Sequence, residues 1–332
     1  MLGSLEVPNR VLLAPLAGIG NWFVRLQAKR YGAGMAVSEM VSSQAIHYGN
    51  EKTCVEMLRI DARERASGPV AIQLFGEDPQ MMGSAAAHVA GLGADAIDIN
   101  MGCPVAKVQK TGAGAALLGD PDRAVAVARA VVEGALGDAG PLPVTVKLRS
   151  GLRAGDTSGF QLAHRLVDEA GVAAIAFHPR SAAVQHRGVP DYELVARLVR
   201  SLPAPVILTG GLDDAAGVRE AFASTGVAAV MLARGALGNP WLFEELVGGR
   251  ELGPTRAEVL DELDWTIDRA VEHLGEARAT RYLRKFYPWY VPRLSLDPAG
   301  AKRLQASLQA AQTLADAREL LEPGRLPVAV AV

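Results

Sequence analysis

Two rhythms of apolar and polar positions alternate along most of the chain. Short β-rich apolar runs recur at residues 11–15, 36–40, 70–75, 96–100, 144–148, 173–178, 206–209 and 228–233. Between them lie segments of helical period, at 80–92, 121–136, 160–170, 192–202 and 214–224. Asp78-Pro79 and Asp120-Pro121 read as helix starts, and Gly171 as a stop. Continuous apolar strands separated by helices predict a parallel sheet covered on both faces. Eight such units predict a closed (β/α)8 barrel. A doubly wound sheet has about five or six strands and opens with a glycine-rich turn. Here the first strand runs into Ala14-Pro15-Leu16-Ala17-Gly18 instead.

After about residue 246 the strand runs stop. Residues 255–274 are amphipathic, with Ala257, Leu260, Leu263, Ile267 and Val271 on one stripe, and 277–287 and 300–321 predict further helices. The organisation expected is an α/β chain: a catalytic (β/α)8 TIM barrel over 1–245, then a small C-terminal helical domain over 246–332. Residues 326–332 are apolar without a period, which suits a frayed terminus or a tail docked on the barrel.

Composition narrows the class. At 49% hydrophobic and 21% charged, the 332 residues can form a large core, which excludes global disorder. Lys and Arg number 34 against 36 Asp and Glu, so a generally basic nucleic-acid binder is excluded, though a local basic patch is not. Two cysteines, Cys54 and Cys103, exclude a disulfide scaffold and a cysteine zinc site. No apolar run reaches the roughly 18 residues of a spanning helix, and residues 1–10 lack a signal pattern, so a cytoplasmic protein off the membrane is expected. The histidines form no metal pattern, and no metal is expected. His47, His88, His164, His186 and His273 read as surface or core residues.

Catalysis on this fold sits at the C-terminal ends of the strands. Those ends carry Pro15, Leu16 and Ala17; Glu39 and Met40; Gln73; Asn100 and Cys103; Lys147; His178 and Arg180; Thr209, Gly210 and Gly211; and Ala233, Arg234 and Gly235. The last two loops suit a phosphate, because small residues let backbone N–H groups approach an anion and Arg234 can fork onto its oxygens. A tight turn is the alternative reading of Gly210-Gly211 taken alone. A fixed Lys147 and an amide at Gln73 suit the pyrimidine edge of a flavin, although each has an ordinary strand-end reading. A free cysteine is usually packing. Cys103, three residues past a strand and between Gly and Pro, reads as a loop residue over the mouth. Cys54 has no such setting.

Residues 278–303 hold seven cations (Arg278, Arg281, Arg284, Lys285, Arg293, Lys302 and Arg303) and one acid, Asp297. Five of the 17 aromatics, Tyr282, Phe286, Tyr287, Trp289 and Tyr290, fall within nine positions of this stretch. Cations interleaved with aromatics suit phosphate contact and base stacking. A solvated helix whose aromatics pack inward explains the same composition. Lys107, Lys110 and Arg149 near the mouth are secondary cations.

The block Asp98-Ile99-Asn100-Met101-Gly102-Cys103-Pro104, with Lys107-Val108 and Gly112 to Leu118 after it, resembles the signature of the tRNA-dihydrouridine synthases. Val11 to Gly18, Gln73 to Gly76, Val146 to Gly151 and Asn239-Pro240-Trp241 resemble the family's other blocks in the same order, most closely its bacterial B branch. The resemblance runs from about residue 9 to 246, and more loosely to 290. It implies an FMN-bearing barrel with a helical tRNA-binding domain, in which reduced FMN delivers hydride to C6 of a uridine, Cys103 protonates C5, and NADPH restores the flavin. It implies FMN contacts at Pro15, Leu16, Ala17, Gln73, Lys147 and His178, a phosphate site at Thr209, Gly210, Gly211, Ala233 and Arg234, and Asn100 near the uracil. Arg180, Arg281, Arg284 and Lys285 are the further substrate contacts expected, with a monomer acting on tRNA. The chain departs from the B branch at Thr209 for Asn, Gly211 for Asp, Ala233 for Gly, and Pro179 and Ser181 in the His-Gly-Arg-Thr block.

The chemistry is self-consistent. The uracil C5=C6 bond is conjugated to C4=O, so hydride adds at C6 and a proton donor must stand at C5. A free thiol is mostly protonated at neutral pH and can donate. The base must leave the RNA stack to be reached. Two rivals remain: an FMN barrel acting on a small enone or pyrimidine, which leaves the basic patch idle, and a tRNA-binding protein with a vestigial redox site, which leaves Cys103 and Lys147 idle.

Overall fold

The computed structural model describes residues 1–138 and 140–322; the apolar segment 326–332 lies outside them. Eight parallel strands close into a barrel in chain order: β1 (Val11–Leu13), β2 (Ala36–Ser42), β3 (Val70–Phe75), β4 (Ala96–Met101), β5 (Val144–Arg149), β6 (Ala174–His178), β7 (Val206–Thr209) and β8 (Ala229–Leu232). β8 pairs back onto β1 through Val11↔Val230, Leu12↔Met231 and Leu13↔Leu232. All eight expected strands are present, with edges moved by up to two residues. The contacts divide the chain into two compact units, one from Met1 to Ala233 and one from Arg234 onward.

Local chemistry explains the covering helices. Asp78 and Asp120 cap Pro79–Gly91 and Pro121–Gly134, each accepting a backbone N–H three residues on, with Pro at the first helical position. Ser158–Ala170 ends at Gly171 in the left-handed conformation, φ 73°. The barrel floor is apolar and small: Leu12, Ala14, Val37, Ala71, Ala96, Ala174, Ala176, Ile207 and Met231 form one buried cluster with Leu2 of the N-terminal segment. Small side chains low in the barrel leave the upper layers to polar groups.

Helix Trp22–Arg30 was not expected. It is buried all round except at Arg30, with Arg25, Gln27 and Lys29 among Trp22, Phe23, Val24 and Leu26, so no apolar stripe announces it. Arg25 pairs with Glu64 at 2.5 Å, both fully buried, and Lys29 donates to the Glu64 and Gly68 carbonyls.

In the second unit, helix Arg256–Leu274 opens with a capping box between Thr255 and Glu258. Its buried face is Val259, Glu262, Leu263, Thr266, Ile267 and Ala270, whereas Ala257 is exposed and Leu260 only half-buried. The expected stripe is therefore rotated. Residues 277–287 divide into Glu276–Leu283 and the short turn Tyr287–Tyr290, which carries Pro288. Residues 300–321 divide into Pro298–Ala310 and Leu314–Leu321, because Thr313 starts a second helix through its own capping box with Asp316.

Candidate active site

Side chains two apart on a strand share a face, and parallel register carries that face across the sheet. The floor cluster draws on seven of the eight strands, so its parity is the barrel interior. Above it, on the same parity, stand Gln73, Asp98, Asn100, Thr145, Lys147, Arg149, His178 and Thr209. Registers Gln73↔Asp98, Asp98↔Thr145, Asn100↔Lys147 and Arg149↔His178 place them side by side. A bulge in β2 shifts its register between Val37 and Met40, so Met40 comes opposite Gln73. Ser38, in the bulge, accepts the Gln73 backbone N–H at 3.0 Å.

A buried hydrogen-bond chain links these strands. Thr145 Oγ1 donates to Asp98 Oδ1 at 2.5 Å, and Gln73 Nε2 donates to Asp98 Oδ2 at 2.6 Å. Asn100 Nδ2 donates to Gln73 Oε1 at 2.9 Å. Asn100 Oδ1 accepts the backbone N–H of Cys103 at 2.9 Å and of Gly102 at 3.2 Å. Gln73 and Asp98 are fully buried. Burial pushes the Asp98 carboxyl up to about 6, against the lowering effect of Thr145, Gln73 and Lys147. Cys103 is half-exposed. Its loop is tied back where Ala115 N–H donates to the Cys103 carbonyl. Gly114 (φ +63°) lets the loop close, since a Cβ there would sit 3.0 Å from the Cys103 carbonyl oxygen.

The cations divide by role. Lys147 is half-buried and no carboxylate pairs with it among the described residues. Burial, then Arg149, lowers its pKa to about 8, while Asp98 and Cys103 act to raise it. Arg149 is buried and donates to the carbonyls of Gly102, Ser181 and Gln185, so it clamps the loops after β4 and β6. It is therefore spent internally, contrary to its reading as a cation near the mouth for RNA. Arg180 is fastened to the Gly188 carbonyl and lies 3.4 Å from His178 Nε2. An arginine can only donate, so that nitrogen is the acceptor of a neutral imidazole. The His178 pKa is lowered by burial first, then by Lys147, Arg149 and Arg180.

Gly210 and Gly211 follow β7 at φ +95° and +81°. A Cβ on Gly210 would fall 2.4 Å from His178 Nε2, and one on Gly211 2.9 Å from the Tyr192 hydroxyl. That hydroxyl donates toward both glycine carbonyls at 3.3 Å. Pro190 and Tyr192 thus fill the space a side chain at position 211 would need, and its φ of +81° favours glycine there. Thr209 is buried, Ala233 half-buried and Arg234 exposed. After β1, Pro15 is half-buried, Leu16 buried and Ala17 exposed, while Glu39 accepts the Gly18 N–H at 2.5 Å. The sequence reading missed Asp98, Thr145 and Ser38. For Asp98 and Thr145 the signal was interior parity, two residues on from Ala96 and two before Lys147; Ser38 lies in the β2 bulge and had no such signal.

The basic stretch of the second unit separates its two components. Phe286, Tyr287 and Tyr290 are buried, so they are core and cannot stack on bases. Tyr290 and Thr266 hydroxyls meet at 3.1 Å. Tyr282 is half-buried and Trp289 exposed. Arg281 and Lys285 are exposed, and the Lys285 ammonium lies 4.8 Å from the Tyr282 ring centre. Arg284 is half-buried and donates to the Ala311 carbonyl at 3.0 Å. Among the described residues no group of three or more His, Cys, Asp or Glu could hold a metal ion, and no helix is long and apolar enough to cross a membrane.

Residues 12–326 match the family model of the dihydrouridine synthases. The tRNA-dihydrouridine synthase B of Shewanella oneidensis is 32% identical, over 97% of each chain. That of Vibrio vulnificus is 36% identical over 87% of this chain and 88% of its own, and that of Pseudomonas aeruginosa 34% over 94% and 91%. Among solved structures, a morphinone reductase variant superposes with a TM-score of 0.55 at 18% identity, covering 78% of this chain and 92% of its own. A 2-naphthoyl-CoA reductase does so at 0.57 and 13%, covering 75% and 51%. At these identities the two structures attest the barrel fold alone.

Proposed function

Since the chain belongs to the dihydrouridine synthase family, in its B branch, we propose that it reduces the C5=C6 bond of specific uridines in tRNA to 5,6-dihydrouridine, with FMN as its flavin and NADPH as reductant. The interior residues fit such a flavin. Lys147 is a half-buried cation without a carboxylate partner among the described residues, and with Arg149 and Arg180 it adds a positive field to the burial that depresses His178. A field of that sign receives an anionic ring edge or a phosphate. Gln73 keeps one N–H and one lone pair after serving Asp98 and Asn100. Gln73, Lys147 and His178, with Pro15, Leu16 and Ala17, would hold the ring system. Thr209, Gly210, Gly211, Ala233 and Arg234 would hold the phosphate. When bound, the flavin supplies the hydride that adds at uracil C6.

The chain's own residues do the rest. Cys103 gives its thiol proton to C5 and is reprotonated from solvent through the open side of its loop. Asn100, beside Cys103 and Lys147 in register, meets the uracil edge, and Arg180 steadies the nucleotide. Lys147 counters charge developing at the pyrimidine edge of the flavin. The helical unit grips RNA through exposed cations, Arg281 and Lys285 first, with Arg284 as a neighbouring support. The proton donor lies in the loop after β4 and the cation on the neighbouring strand β5, and the peptide of Cys103 is fastened to the same polar layer as Lys147. That juxtaposition is the observation on which the reading rests. The test is dihydrouridine content of tRNA incubated with the purified protein, FMN and NADPH. Loss of uridine with gain of dihydrouridine is expected. Oxidation of NADPH by a small enone with no change in tRNA would favour the first rival instead.

A further inference from the structure

We infer that Asp98 is a positioning residue that sets the polarity of the buried chain Thr145–Asp98–Gln73–Asn100, and through it the seat of the Cys103 backbone and the orientation of the Gln73 amide. The inference rests on Cys103 as the reacting thiol. An ionised carboxylate only accepts hydrogen bonds. Between Thr145 and Gln73 it therefore obliges Gln73 to present Nε2 to it and Oε1 to Asn100. That turns Asn100 so that Nδ2 donates inward and Oδ1 faces outward, where it accepts the Cys103 and Gly102 N–H groups. A Gln or Asn amide left to itself has two orientations of similar energy. Here the Asp98 carboxylate at one end and the two backbone N–H donors at the other leave a single polarity that satisfies both amides. The Asp98 side chain is fully enclosed and both its oxygens are occupied within the protein. It contacts no reactant and works only through its neighbours.

Polarity makes a prediction that packing does not. Asn100→Asp keeps one oxygen for the Cys103 N–H but sets the other against Gln73 Oε1. Turning the Gln73 amide only moves the clash to Asp98. Adding Asp98→Asn repairs it: the new carboxamide donates to the turned Gln73 and accepts from Thr145, so every group is satisfied with the chain reversed. Adding Asp98→Leu instead removes the same charge but supplies no donor.

The experiment measures alkylation of Cys103 by iodoacetamide in the full-length chain carrying Cys54→Ala, so that one thiol is read. Asn100→Asp should change the alkylation rate about tenfold, the scale of one buried polar pair set at odds. The double variant with Asp98→Asn should return to within about threefold of the parent, and the one with Asp98→Leu should not. FMN affinity should stay impaired in the repaired variant, because its Gln73 edge is inverted. If Asn100→Asp does not fold, a folded double variant with Asp98→Asn alone reports the same coupling. Equal repair by Asn and Leu at position 98 would reduce the effect to charge relief and overturn the inference, as would no repair by either. Alkylation needs neither tRNA nor NADPH, so absence of dihydrouridine synthesis would sink the proposed function without touching this result.

Discussion

The barrel mouth and the basic stretch of the helical unit are both rich in polar groups, and they treat them in opposite ways. At the mouth, Gln73, Asp98, Asn100, Thr145 and Arg149 are buried and committed to named partners, so each reactive atom has one address. In residues 278–303 Phe286, Tyr287 and Tyr290 go inward, while Arg281, Lys285 and Trp289 stay exposed. Chemistry at one carbon needs placement to within a few tenths of an ångström, which buried, fully satisfied networks supply. Holding a folded RNA by its phosphates needs charge near the surface and tolerates mobile side chains. The sharpest way to test this contrast is to remove a group from each region and compare what is lost.

The largest effect is expected at Cys103. Cys103→Ala should slow uridine reduction by roughly 10²–10⁴-fold, the scale of a lost general acid, while FMN content and NADPH oxidation stay near wild type. Cys54→Ala should leave both rates in place. Single-turnover reduction of tRNA, followed alongside flavin absorbance, separates the steps. A Cys103 variant as fast as wild type would deny the mouth its proton donor.

Lys147 should give the next effect. Lys147→Met should weaken FMN binding about tenfold to a hundredfold, the range for a charged hydrogen bond lost in a buried site. The lysine pKa is lowered to about 8 by burial, so the free protein carries this cation below that pH and loses it above. Wild-type affinity for FMN should therefore fall as pH rises through about 8. The variant should show no such decline. Titrating flavin fluorescence at pH 7 and pH 9 reads both, and parallel pH profiles for the two proteins would remove Lys147 from the flavin site.

The barrel was legible because its strands are continuous apolar runs bounded by strong turn signals, and because Asp-Pro starts and Gly171 bracket the helices. The rim residues followed from the fold rule, since a strand's last residue is at the mouth whatever its type. What escaped was held by paired polar groups. Helix Trp22–Arg30 buries Arg25 against Glu64 and caps carbonyls with Lys29, so hydrophobic periodicity is silent there. Asp98 and Thr145 sit mid-strand, where their partners come from other strands and no local pattern names them. Arg149 looks like Lys147 two residues earlier, and only the fold reveals that its guanidinium is consumed by three carbonyls. In the helical unit, composition reported cations and aromatics together. Burial then assigned Phe286, Tyr287 and Tyr290 to the core, because a helix face is set by neighbours that the sequence does not identify.

The smallest effect, and the one that sharpens the contrast most, concerns three adjacent cations. Arg281 and Lys285 are exposed, whereas Arg284 spends its guanidinium on the Ala311 carbonyl and its own carbonyl accepts from Gln309 Nε2 at 2.7 Å. If the exposed pair holds phosphates, Arg281→Ala with Lys285→Ala should weaken tRNA binding several-fold. It should also lower the steepness of log affinity against log salt by about one to two, since each lost phosphate contact keeps its counterion. Thermal stability and FMN content should stay put. Arg284→Ala should do the reverse, lowering the melting temperature through the lost link to Ala311 while changing the salt slope by less than one. Binding isotherms at several salt concentrations, together with melting curves, distinguish the two kinds of cation. If the double variant binds with the wild-type salt slope, the exposed face is only solvated and the grip must lie with Lys107 and Lys110, the exposed cations of the loop that carries Cys103.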